Sequence, residues 1–198
     1  HVAFKNLYYS ILADLKSQLF RGYDYPNDTT RTIVSDFLSP GYLVIAIGMD
    51  YKPSDKLSVL LSPLTSKMTY IGDTINVDPL KFGLEDGKKL KKELGAYFKM
   101  QYKIDLTKNI MLENKLDLFS NYLEDPQNVD INWEAYLVMK INKYISTNIS
   151  THLIYDDNID IPVYEDDGSP VLNEDGDQVT TKHAQFKEIL SVGFSYKF

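Results

Sequence analysis

Apolar and polar residues alternate at period two along most of this chain, the mark of strands with two unlike faces. In a first run Leu7, Tyr9, Ile11, Ala13, Leu15 and Leu19 oppose Ser10, Asp14, Lys16 and Gln18. In a second, Leu43, Ile45, Ile47, Met49 and Tyr51 oppose Tyr42, Ala46, Gly48 and Asp50. A third, from Leu57 to Met68, is less regular. The fourth sets Leu94, Ala96, Phe98, Met100, Tyr102 and Ile104 against Glu93, Tyr97, Lys99, Gln101 and Lys103. The fifth sets Ile110, Leu112, Leu116, Leu118 and Tyr122 against Glu113, Lys115, Asp117 and Asn121. Val129, Ile131, Trp133, Ala135, Leu137, Met139 and Ile141 oppose Asp130, Asn132, Glu134, Lys140 and Asn142 in the sixth. The seventh places Ile145, Ile149, Leu153 and Tyr155 opposite Ser146, Asn148, Ser150 and His152. The eighth is the C-terminal stretch, where Leu190, Val192, Phe194, Tyr196 and Phe198 fall at alternate positions.

The connections carry a second pattern. "YKPSDK", "DLTKN" and "NKY" are tight polar turns, whereas "RGYDYPNDTTRTIVSDFLSP", the segment 69–92, "LEDPQN" and the acidic stretch 156–183 are long. Short and long alternate, as in an outer-membrane β-barrel with clipped periplasmic turns and long external loops. A soluble up-and-down barrel with apolar residues inside is the competing reading. Aromatics at the strand ends weigh against it. Tyr9, Tyr51, Tyr102 and Tyr196 lie toward the short turns, and Tyr122, Trp133, Tyr155 and Phe186 toward the long loops. Two aromatic girdles around an aliphatic band are what two lipid–water interfaces select. The expectation is an all-β fold: one antiparallel transmembrane β-barrel domain over residues 1–198, with eight strands in this chain.

Composition narrows the partners. The 198 residues carry a net charge of −7, which disfavours nucleic acid, and contain no cysteine. No apolar run reaches the ~18 residues of a spanning helix. The ending resembles the C-terminal signal of outer-membrane barrels: Leu190, Val192, Phe194, Tyr196 and Phe198 would form an edge strand offered to the barrel-assembly machinery. Outer-membrane lipid is the second expected partner.

Four segments carry a family resemblance: "GYDYPND", "SDFLSPGYLVIAIGMDYKPSDKLSVLLSPLTSKMT", "KLDLFSNYLEDPQNVDINWEAYLVMKINKYISTNISTHLIYDD" and "QFKEILSVGFSYKF". They resemble a family of Bacteroidota outer-membrane proteins known only as a domain of unknown function, most specifically over 115–157. The resemblance implies a location in the outer membrane, and about four further strands before the equivalent of Tyr8. It therefore implies a twelve-stranded barrel of which this chain would be two thirds. It implies no activity, cofactor or catalytic residue.

Candidate chemistry is sparse. His152 shares a face with Ser146, Asn148 and Ser150, but alternation turns that face inward, so no nucleophile–base–orienter set reaches the lipid side. His1 and His183 add nothing to it. The acidic stretch, with Asp156, Asp157, Asp160, Glu165, Asp166, Asp167, Glu174, Asp175 and Asp177, lacks the ordered ligand spacing of a calcium loop and reads as a solvated hairpin. Glu93, Lys99, Lys103, Glu113, Lys115, Asp117, Glu134 and Lys140 are the candidate lumen-lining residues. They suit either a pore or a narrow interior locked by cross-strand pairing. The functional expectation is a non-enzymatic barrel, a passive small-solute channel or a structural element. The alternative is a non-catalytic subunit bound to other outer-membrane proteins.

Overall fold

The computed structural model describes residues 2–27, 30–85, 87–165, 167–174 and 176–196. The strands are β1 (Val2–Phe4), β2 (Leu7–Ser17), β3 (Gly22–Asn27), β4 (Thr30–Ser35), β5 (Gly41–Ser54), β6 (Leu57–Tyr70), β7 (Leu90–Thr107), β8 (Ile110–Asn121), β9 (Val129–Lys140), β10 (Ile145–Tyr155), β11 (Ile161–Pro162), β12 (Thr180–Thr181) and β13 (Gln185–Phe194). One 3₁₀ turn, Pro79–Phe82, is the sole helical element among the described residues. The fold is all-β, as the alternation demands.

Nine strands form one antiparallel meander in the order β1-β2-β5-β6-β7-β8-β9-β10-β13. Eight are the expected runs. The ninth, β1, is a short return that pairs only with the start of β2, Val2 to Tyr8 and Phe4 to Leu7. Short turns at 5–6, 55–56, 108–109 and 141–144 sit at one end of the sheet; the long connections 18–40, 71–89, 122–128 and 156–184 sit at the other. The first long connection holds the β3–β4 hairpin and the last holds the β11–β12 pair.

The sheet is not closed into a barrel. Among the described residues β2 and β13 are not paired with each other, and each has a strand along only one side for most of its length. Two boundaries also differ from the sequence pattern. β2 stops at Ser17, where Gln18 turns aside to bridge Phe37, and β13 stops at Phe194. Phe198 lies outside the described residues.

The sheet is nevertheless strongly curled. Lys67 on β6 lies 2.7 Å from Asp130 on β9 and 3.5 Å from Asp156 just past β10. Three or four strand spacings on a flat sheet span about 14–19 Å, more than these side chains bridge. Their face is therefore concave. A bulge in β6 contributes to the bend. Register slips between Ser62 and Thr65 against β7, and between Ile47 and Met49 on the β5 side. Pro63 supplies no N–H there, so the ladder is interrupted at a residue that could not complete it. Ser62 and Thr65 both turn inward, wholly buried, with Thr65 Oγ1 donating to Ser62 Oγ at 2.8 Å and Ser62 Oγ to Ile47 O at 2.8 Å. Gly48 and Gly95 face this region, where a Cβ would fall onto backbone atoms of Leu61 and Ser120 respectively.

Burial is inverted relative to a water-soluble sheet. The convex face exposes Tyr9, Ile11, Leu15, Ile45, Ile47, Met49, Leu61, Leu64, Leu190, Val192 and Phe194, with Ile11 at 76% and Leu190 at 71%. The concave face buries Asp50, Ser62, Thr65, Thr69, Glu93 and Asn121. Leu116, Leu137 and Ile149 are half-exposed on the convex side rather than packed in a core.

Candidate functional site: the concave interior

Each interior side chain is placed by strand parity and register. Glu93 on β7 stands opposite Lys67 on β6, and Lys67 also reaches across the curl, so one ammonium meets Glu93 at 3.7 Å, Asp130 at 2.7 Å and Asp156 at 3.5 Å. Lys91 approaches the other oxygen of Glu93 at 3.3 Å. The Glu93 side chain is 2% exposed, so these cations offset a charge that would otherwise be left in low dielectric. The Lys67 ammonium also lies 5.2 Å from the centre of the Phe119 ring.

Nearer the short turns, Lys99 and Asp117 are directly paired across β7 and β8, 3.6 Å apart. His152 Nε2 lies 2.6 Å from Asn132 Oδ1 and 3.9 Å from Glu134 Oε1. Tyr136 donates to Glu134 at 3.0 Å, and Lys115 sits 3.4 Å from Glu113 with its ammonium 5.1 Å from the Tyr136 ring. Between these groups runs an apolar cluster of Ala46, Leu60, Tyr97 and Phe119, with Leu12 packed against it. Above it, toward the long loops, is a cavity of about 670 Å³.

The segment 71–89 folds over that cavity. Ile71, Val77 and Leu84 form a small buried core with Ile33 and Phe82, and Phe82 and Lys81 line the cavity below. This segment is tied to the neighbouring long loop where Gly72 N–H donates to Leu38 O and Asp73 N–H to Ser39 Oγ. Hydrogen bonds from the Asn76 side chain and backbone hold the Asp73 carboxyl below its usual range. The Phe37 N–H, and then Arg21 at 2.7 Å, do the same for Asp36.

Of the candidate lumen residues, Glu93, Lys99, Glu113, Lys115, Asp117 and Glu134 lie together on the concave face. Lys103 and Lys140 fall on it by register but are exposed toward the short turns. Leu190, Val192 and Phe194 are exposed on the convex side, and Tyr144 stacks on Phe194 and Tyr196 at centroid distances of 6.2 and 5.7 Å. His152 faces inward with Ser150 and Asn148 by strand alternation. In the acidic stretch Asp156 serves Lys67, and Asp157 accepts from Asn128 at 2.6 Å and Lys182 at 3.3 Å. Asp166 and Asp175 lie outside the described residues, and no group of three or more His, Asp or Glu arranged for a metal occurs among those described.

Sequence reasoning missed Lys67 as the hub, Asp130 and Asp156 as its partners, and the apolar cluster. Parity counted from Leu57 puts Lys67 on the convex face. The bulge at Pro63 reverses that, and a proline inside a strand pattern is the signal that would have revealed it. Comparison with protein-family models, curated proteins and solved structures finds no match to this chain.

Proposed function

We propose that this chain is the wall of an outer-membrane β-barrel, its convex face against lipid and its concave face forming an occluded interior, with a structural rather than enzymatic role. One observation carries the reading: large apolar side chains cover the exposed convex face while ion pairs are buried on the other. In water that arrangement forfeits the hydrophobic contribution of every convex residue, about 1.5–3 kcal/mol for each large side chain. In hydrocarbon it does not. The unpaired sides of β2 and β13 would also need partner strands there, each other or further strands, since lipid offers no hydrogen bonds. A twelve-stranded barrel completed by strands on those two sides would meet that need, and assembly would proceed through the C-terminal strand.

Within this reading the Lys67 network and the Leu12–Phe119 cluster favour a blocked interior over an open channel. Planar-bilayer recordings of the purified full-length protein test this. The proposal expects no discrete conductance steps; reproducible steps would restore the small-solute channel.

A second reading, a non-catalytic subunit of a larger outer-membrane complex, draws on Leu19, Phe20 and Phe37. These are 73%, 83% and 58% exposed where β2 gives way to its long loop. Co-purification of a second outer-membrane protein at fixed stoichiometry, lost with Phe20→Ser, would favour it.

A further inference from the structure

We propose that the cavity under the 71–89 segment is a binding site for a small neutral polyhydroxy solute, a sugar of one or two rings. The inference goes beyond the membrane reading and stands on the cavity alone. Its volume, about 670 Å³, lies within the roughly 300–1,000 Å³ of small-molecule sites. Tyr97 and Phe119 of the apolar cluster line its side toward the short turns, and Phe82 lines it from the 71–89 segment.

Most of the lining charge is already paired, Lys81 excepted, which weighs against an ionic ligand. Lys67 and Lys91 are already committed to Asp130, Asp156 and Glu93. An incoming anion meets those carboxylates within a few ångströms of either lysine, and an incoming cation meets the lysines. Both would also lose their hydration on entry. A hydroxyl meets no like charge, and its smaller desolvation cost is offset because it donates to a carboxylate and accepts from an ammonium or an amide with the same oxygen. Asn132 places a side-chain amide beside His152 on the same wall. The rings of Phe82, Tyr97 and Phe119 supply apolar surface for the C–H faces of a pyranose. Mixed donors and acceptors in paired charge, interleaved with aromatic rings, match a sugar better than an ion or a hydrocarbon.

The test is ligand-observed NMR and calorimetry on the full chain in detergent micelles, with glucose and maltose as probes and citrate and putrescine as charged controls. Saturable binding of a sugar is expected, weakened about tenfold in Asn132→Ala and in Phe82→Ala, two lining residues on different elements, β9 and the 71–89 segment. Far-UV circular dichroism and the thermal midpoint identify a variant that has lost its fold; the other then carries the comparison. No saturation by either sugar, affinity unchanged in every folded variant, or preferential binding of citrate or putrescine would overturn the proposal. Loss of sugar binding with membrane insertion intact would sink the pocket alone and leave the barrel reading standing.

Discussion

Lys67 Nζ lies 2.7 Å from Asp130 Oδ2, although the two residues are 63 positions apart and their strands are separated by two others. The pair spans the concave side of the curled sheet, and Glu93 and Asp156 share the same ammonium. Removing the lysine leaves three carboxylates gathered without their main counter-charge. Lys67→Met is therefore expected to destabilise the protein by roughly 3–5 kcal/mol. Urea unfolding in micelles measures it; a loss under about 1 kcal/mol would mean the cluster is well solvated.

The glycines at the β6 bulge are a separate constraint. A methyl at Gly95 falls onto Ser120 O, a backbone atom that cannot rotate away. Gly95→Ala is expected to cost about 1–3 kcal/mol. Gly87→Ala tests the contrast: nothing lies near its Cβ position, and its cost arises from the positive φ of 71° alone. The thermal midpoints of the two variants should fall in that order, Gly95→Ala lower.

How far the sequence discloses this arrangement depends on where alternation survives. Glu93, Tyr97 and Lys99 are placed correctly by period two because β7 is one strand from Leu90 to Thr107, paired without a slip against β8 from Gly95 to Asp105. The alternation of short turns and long loops likewise follows from composition, since Gly, Pro and Asp mark turns for local reasons. Lys67 is hidden because one proline reverses parity for all that follows it in β6. The cluster of Leu12, Ala46, Leu60, Tyr97 and Phe119 draws one residue from each of five strands, so no local window contains it. The fold of 71–89 over the cavity depends on Ile33 and Ser39 from another loop, which periodicity does not reach. Closure is likewise a property of the two edges, β2 and β13, that no single strand displays.

The long-loop end carries a pH dependence. Asp73 and Asp36 have folded-state pKa values below their ordinary ones, owing to Asn76 and to the Phe37 N–H with Arg21. Their stabilisation is present above the unfolded carboxylate pKa, about 3.9, and is lost as pH falls through the lower folded value. The Phe37 backbone amide and the Asn76 side-chain amide should shift in NMR spectra with midpoints below the ordinary carboxylate range. Midpoints at or above it would contradict the hydrogen bonding.

On the outer-membrane reading, variants of the C-terminal strand separate assembly from stability. Phe194→Asp and Phe198→Asp are expected to lower the amount of protein reaching the outer membrane, with periplasmic degradation of the remainder. Tyr144→Ala removes the ring stacked on Phe194 and Tyr196, together with its cation–π contact to Lys143. It should leave the surface amount unchanged and lower the stability of the assembled protein by about 1 kcal/mol. Normal surface levels of both Asp variants would remove the assembly-signal assignment.

The central claim is that the convex face lies in hydrocarbon, and adjacent residues on β10 test it most directly. Ile149 faces outward toward Leu190 and Leu137, while Asn148 faces inward beside Ser191 and Val138. The chain has no cysteine, so single Cys variants at 149, 148 and Ile47 take a spin label cleanly. In reconstituted bilayers the labels at 47 and 149 should be quenched by dissolved oxygen and shielded from a water-soluble nickel chelate, and the label at 148 should not show that lipid pattern. Nickel-accessible labels at both 47 and 149 would place the apolar face in water and contradict the membrane wall.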